Sequence, residues 1–156
     1  MTEADDREAI NEPANPLGME GIEFIEYATA RPQALGQVLE TLGFRPIARH
    51  RSREVLLYRQ GGINVIVNAH GGGAGQGGTL DDKPVIAAVA LRVRDAAAAY
   101  GRALERGAWA VPIRVEVMEL NIPAVHGPGG SRIYFVDRHR EFSIYDVDFI
   151  PVPGVD

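Results

Sequence analysis

Cysteine is absent from the 156 residues. That excludes a disulfide scaffold, a thiolate nucleophile and a thiolate-ligated zinc or iron-sulfur site, and it permits a reducing cytoplasm. No run of about 18 apolar residues occurs, so nothing reads as a membrane span. A basic surplus is missing too: 16 Lys and Arg stand against 21 Asp and Glu, a formal net charge of -5. This argues against a nucleic-acid or anionic-membrane partner, though not against a small anion held by one local arginine. The opening MTEADDREAINEPANP lacks the apolar segment of a signal peptide, and the expected location is cytoplasmic. Serine is scarce, and Ser52, Ser131 and Ser143 have no nucleophile-elbow context.

What is present is the composition of a soluble globular protein, 46% hydrophobic and 24% charged, with room for one core or two half-domains sharing one. The stretch Phe44 to Asn68 reads as three successive strands, 44–50, 54–59 and 63–67. Val, Ile, Leu, Tyr and Phe supply their strand propensity, and Gly61-Gly62 supplies a hairpin turn. Before them lies a helix opened by Pro32 and closed by Gly43, with Leu35, Val38, Leu39 and Leu42 on one face. Before that comes a strand, Gly21 to Ala28. The alternation rule puts its Glu23 and Glu26 on opposite faces, whereas Asp146 and Asp148 share one.

The order strand, helix, strand, strand, strand then recurs. Val85 to Val93 is an almost continuous apolar strand. Asp95 is placed to cap a helix whose buried stripe is Ala96, Ala99, Tyr100, Ala103 and Leu104, and Gly107 closes that helix. A shift of 64 positions lays Pro32 on Ala96, Gly43 on Gly107 and Phe24 on Ala88. Strands are expected at 109–115, 131–136 and 143–150, with 119–130 an insertion that has no counterpart in the first half. The organisation expected is α+β: a flexible tail over 1–14, a module over 21–68, a glycine-rich linker over 69–84, a module over 85–150 and an exit linker over 151–156. The linker lacks the lysine-serine ending of a phosphate loop.

Two strand-helix-strand-strand-strand modules resemble the vicinal oxygen chelate superfamily of glyoxalases, bleomycin-resistance proteins and extradiol dioxygenases. The words NPLGMEGIEFIEYA, HRSREVLLYRQGGINVIVN, LRVRD, MELNIPAVHGPGG, IYFVDR and SIYDVDFI are similar to the amino-terminal domain of bacterial 4-hydroxyphenylpyruvate dioxygenases, from Asn15 onward. The resemblance implies two βαβββ modules with curved mixed sheets and helices outside. It also implies a whole enzyme that turns 4-hydroxyphenylpyruvate and dioxygen into homogentisate and carbon dioxide, in tyrosine catabolism. Its iron(II) would lie in a carboxy-terminal domain, held by two histidines and a glutamate. A similar domain is implied in fused proteins that include 3-dehydroshikimate dehydratases.

In that pattern the ligand histidines would fall near Phe24 and Ala88, both apolar, so no metal or other cofactor is expected in this domain and no catalytic residue is assigned to it. Asp148 is the one weak candidate for the carboxylate. Arg59 and Arg92 each interrupt an apolar strand and could clamp a carboxylate or pair with an acid. Asn121, His126 and Tyr145 are the remaining candidates for a ligand or an interface; the aromatic residues Tyr58, Tyr134, Phe135, Tyr145 and Phe149 are read first as core. His50 reads as a structural or surface residue, with anion binding the alternative, His70 as a solvated linker residue and His139 as part of a polar turn. The expected role is structural support for an iron-bearing partner domain, with homo-oligomers. The alternatives are a free-standing metal-free module that binds a small aromatic acid and a metal enzyme completed across a homodimer.

Overall fold

The computed structural model describes residues 14–69, 83–112, 122–138, 145 and 149–154. Eight strands form one mixed sheet. In chain order they are β1 (Met19–Ala28), β2 (Arg45–His50), β3 (Val55–Gln60), β4 (Ile63–Asn68), β5 (Val85–Val93), β6 (Ala124–His126), β7 (Arg132–Val136) and β8 (Phe149–Pro151). Across the sheet the order is β6-β7-β5-β1-β4-β3-β2-β8. Two helices, α1 (Pro32–Thr41) and α2 (Ala96–Glu105), follow β1 and β5.

The 64-residue repeat is visible in the backbone. Both helices end on a glycine of positive φ, 102° at Gly43 and 101° at Gly107. After each, the next amide bonds back into the last turn, Phe44 N–H to Leu39 O at 2.9 Å and Ala108 N–H to Ala103 O at 3.0 Å. These left-handed turns favour glycine because a Cβ would be strained there. Asp95 caps α2 by accepting from the Ala98 amide at 2.9 Å. Central strands β1 and β5 run antiparallel, with Phe24 opposite Ala90, Ile25 opposite Val89 and Glu26 opposite Ala88. Val89 is the repeat equivalent of Ile25, so a pseudo-twofold axis passes through that pair.

Both helices lie on one face of the sheet. On it α1 packs Leu35 and Leu39 against Tyr58, Val65 and Val67, and α2 packs Ala96, Ala99 and Ala103 against Val93, Val125 and Phe135. Val38 and Leu42, expected in the α1 stripe, are exposed. The helix is instead seated over Gly36, whose missing side chain makes room for the Tyr58 hydroxyl, and this rolls Val38 and Leu42 outward. In α2 the expected stripe holds at its alanines, while Leu104 stands at the rim.

Three stretches differ from the sequence expectation. The supposed insertion contains β6, which pairs antiparallel with β7 and is thus the counterpart of β3. Of the expected strand over 109–115, the described residues contribute a single bridge, Ala110 to Val125. Of the expected strand over 143–150, Tyr145 is helical and 143, 144 and 146–148 lie outside the described residues; strand β8 begins at Phe149 and pairs with β2, His50 opposite Phe149. A short strand can be placed by its own residues, but its partner is chosen by long-range packing, here the edge-to-face contact of His50 and Phe149 with centroids 5.6 Å apart. The segment before β1 lies along the body: Asn15 exchanges hydrogen bonds with Met19, and Arg102 donates to the Pro16 carbonyl. No helix among the described residues is long and apolar enough to cross a membrane.

Candidate functional site

The face opposite α1 and α2, helix-free in the sense that neither of them covers it, carries Phe24, Ala88, Ala90, Ile66, Leu57, Val55, Ala48, Tyr134, Val136, Tyr145 and Phe149 as one buried cluster. Strand parity alone would keep Glu23 off it. Between Ile22 and Phe24, however, the β1–β5 register shifts: Ile22 faces Leu91 and Phe24 faces Ala90, leaving Glu23 as the extra residue of a bulge. A bulge turns two consecutive side chains toward one side. Glu23 and Glu26 therefore share the helix-free face, 3% and 0% exposed, and the expectation that they oppose one another is corrected.

A carboxylate this deep must be hydrogen-bonded or neutralised. Glu23 is met from three directions. Arg92 on β5 donates Nε to Oε2 at 2.7 Å. Arg138, just past β7, donates Nη2 to Oε1 at 3.0 Å and to Oε2 at 3.2 Å. The Tyr145 hydroxyl lies 3.4 Å from Oε1 and from the Glu23 carbonyl oxygen. That carbonyl, just before the first β1–β4 pair at Ile25, also accepts from Asn64 Nδ2 at 3.0 Å. Arg59 in turn donates Nε to Asn64 Oδ1 at 2.6 Å and holds its guanidinium 5.5 Å over the Tyr145 ring. Burial, followed by the Glu23 charge and hydrogen bond, pushes the Tyr145 hydroxyl well above the usual tyrosine range, while Arg59 and Arg138 pull it back.

Of the sequence candidates, the fold thus gathers Arg59, Arg92 and Tyr145 around one point. Glu23 at their centre was not among them, because its position on this face depends on a bulge. Arg92 carried the available signal: an arginine inside an apolar strand needs an acid, and β1 supplies it. His126 is elsewhere, exposed on β6, beside an open cleft of about 490 Å³ that Trp109 also lines. Asn121, Asp148, His70 and His139 lie outside the described residues. His50 is a structural residue: buried at 2% exposure, its Nδ1 accepts the amides of Ser52 and Arg53 and fixes the turn after β2. Tyr58, Tyr134, Phe135, Tyr145 and Phe149 are all buried, as the core reading required.

A two-histidine, one-carboxylate iron site needs side chains converging from separate strands with coordination positions left open. Phe24 and Ala88 do lie on this face, each 0% exposed, and offer only a ring and a methyl group. Glu26, opposite Ala88, is 3.9 Å from Arg132, and Glu23 already receives two guanidinium groups. No three His, Asp or Glu side chains converge among the described residues. These residues do not fit iron.

Comparison with known proteins agrees with this architecture. Residues 14–150 match the family model described as the N-terminal domain of hydroxyphenylpyruvate dioxygenase. A 4-hydroxyphenylpyruvate dioxygenase from Pseudomonas sp. is 45% identical over 143 residues, which are 91% of this chain and 40% of that protein. A 3-dehydroshikimate dehydratase from Pseudomonas aeruginosa is 42% identical over 134 residues, 84% of this chain and 21% of that one. Among solved structures, a fusion of a xylose isomerase-like TIM barrel with a 4-hydroxyphenylpyruvate dioxygenase superposes with a TM-score of 0.73 at 34% identity, covering 96% of this chain and 25% of its own. The chain therefore spans well under half of these longer proteins, and by its sequence and its fold it belongs to the family of hydroxyphenylpyruvate dioxygenase N-terminal domains.

Proposed function

We propose that this chain is the metal-free, supporting half of a 4-hydroxyphenylpyruvate dioxygenase-like protein, whose iron(II) and whose conversion of 4-hydroxyphenylpyruvate to homogentisate belong to a following domain. The observation that carries the reading is the filling of the helix-free face. Where the superfamily pattern calls for metal ligands, Phe24 and Ala88 are sealed in the core, and the neighbouring carboxylate is committed to Arg92 and Arg138. Domains of this family accompany at least two differently named activities, a dioxygenase and a dehydratase. A module common to both is better suited to holding and orienting a catalytic partner than to performing either reaction. Exposed Val38, Leu42, Ile63 and Trp109 provide apolar surface for such a partner to cover.

The test is anaerobic reconstitution of the 156-residue chain with iron(II), followed by elemental analysis and an assay for homogentisate. The reading expects less than about 0.1 iron per chain and no product, since neither Phe24 nor Ala88 can ligate. Near-stoichiometric iron, lost on Asp148→Ala, would instead establish a metal site in this half.

A further inference from the structure

The Glu23 cluster has the anatomy of a ligand site whose ligand is part of the chain. The donors to its carboxylate come from separate elements, Arg92 from β5, Arg138 from the end of β7 and Tyr145 from between β7 and β8, while Asn64 on β4 holds the Glu23 backbone carbonyl. Several of them are held by contacts that do not involve Glu23. Tyr145 is wedged between Phe24 and Phe149, with ring centroids 6.5 and 6.2 Å away, and lies under the Arg59 guanidinium. Asn64 is fixed by Arg59, and the Arg92 backbone is anchored in the β5–β7 ladder opposite Val136. The bidentate approach of Arg138 and the second guanidinium of Arg92 form a fork that suits a planar carboxylate, whichever molecule supplies it.

We propose that the helix-free face contains a preorganised receptor for a small monocarboxylate, kept closed in this protein by the Glu23 side chain. Free acetate is the fragment that Glu23 adds beyond its Cβ, so it is the ligand that fits once that fragment is removed. Larger aromatic carboxylates are excluded, because the rings of Phe24, Tyr134 and Tyr145 already fill the adjoining space. The inference holds whatever reaction the longer protein carries out.

Glu23→Ala opens the receptor while Tyr145 stays held by its ring contacts and the Arg92 backbone by the β5–β7 ladder. In thermal unfolding, about 100 mM acetate, compared with chloride at equal ionic strength, should raise the melting temperature of E23A by about 3–5 °C, as for a ligand at roughly ten times its dissociation constant. Wild type should not respond, benzoate should produce no shift in E23A, and the acetate-induced rise should saturate and disappear in E23A/R92A. Equal shifts in wild type and E23A, persistence in the double variant, or no shift in E23A would each overturn the proposal. If E23A does not fold alone, it is refolded from urea with and without acetate. Recovery confined to acetate supports the receptor, and failure under both conditions overturns it.

Discussion

Strands β1 and β5 hold equivalent places about the pseudo-twofold axis, yet around its centre they supply side chains of unequal size to the helix-free face. From β1 come the ring of Phe24 and the carboxylates of Glu23 and Glu26; from β5, at the equivalent or facing positions, come the methyl groups of Ala88 and Ala90. Each large group of one strand stands across from a small one of the other, Phe24 from Ala90 and Glu26 from Ala88. A cleft shared equally by two modules needs matched residues facing one another across the axis. Here β1 supplies a ring and two carboxylates, β5 supplies the small residues that face Phe24 and Glu26 together with the Arg92 guanidinium that meets Glu23, and the cleft becomes core. The lesson is that a repeat can keep its backbone symmetry, down to paired glycine turns, while its side chains abandon the symmetric site.

The comparison is broken most severely at Phe24. Phe24→Ala should cost about 3–5 kcal/mol by leaving a cavity over Ala90, whereas Ala88→Gly, at the equivalent position in the other strand, should cost closer to about 1 kcal/mol; urea unfolding reads both. Enlarging the small partner is the converse test. Ala88→Leu should destabilise by about 1–3 kcal/mol through overpacking against Glu26, and comparable stability to wild type would mean that the face has unfilled room.

Tyr145 sharpens the electrostatic side of the same contrast. Its raised folded pKa means that the unfolded chain loses this proton first as pH rises. The associated stability is therefore complete below the ordinary tyrosine pKa of about 10 and declines above it, by at most about 1.4 kcal/mol per pH unit. Tyr58, raised by burial and by Glu40, contributes in the same direction. Tyr145→Phe should reduce the steepness of alkaline destabilisation above the ordinary tyrosine pKa, measured as denaturation midpoint against pH. An unchanged slope would show that Tyr145 does not contribute to it.

The smallest effect separates the helices. Gly101 in α2 has open space where a methyl group would be added, so Gly101→Ala should stabilise by about 0.5–1 kcal/mol. Gly36→Ala in α1 should destabilise despite the same gain in helix propensity, because its methyl group would meet the Tyr58 hydroxyl. Melting temperatures moving in the same direction for both variants would contradict the packing described for α1.

Much of this architecture was legible in the sequence because local rules governed it. Pro32, Asp95, Gly43 and Gly107 mark helix ends by backbone geometry and capping, and the repeat follows from their spacing. The resemblance carried by the strand words correctly indicated the family. What escaped depended on non-local choices: the pairing of β8 with β2, the strand hidden in the 119–130 insertion, and the roll of α1 over Gly36. The candidate site was half legible. Arg59, Arg92 and Tyr145 stood out as polar or aromatic residues in apolar surroundings, but their convergence on Glu23 required the β1 bulge, which shifts side-chain parity by one and leaves no signature in an alternating pattern.

The claim at the centre of this account is that the Glu23 carboxylate, bound chiefly by Arg92, closes the helix-free face. A double-mutant cycle with Glu23→Gln, Arg92→Met and both together, read by urea unfolding, measures that contact most directly. The account predicts a coupling energy of about 1–3 kcal/mol, because the carboxylate is buried and the guanidinium is largely shielded. A coupling near zero would contradict it, since the two groups would then contribute independently and the face would be closed by apolar packing alone.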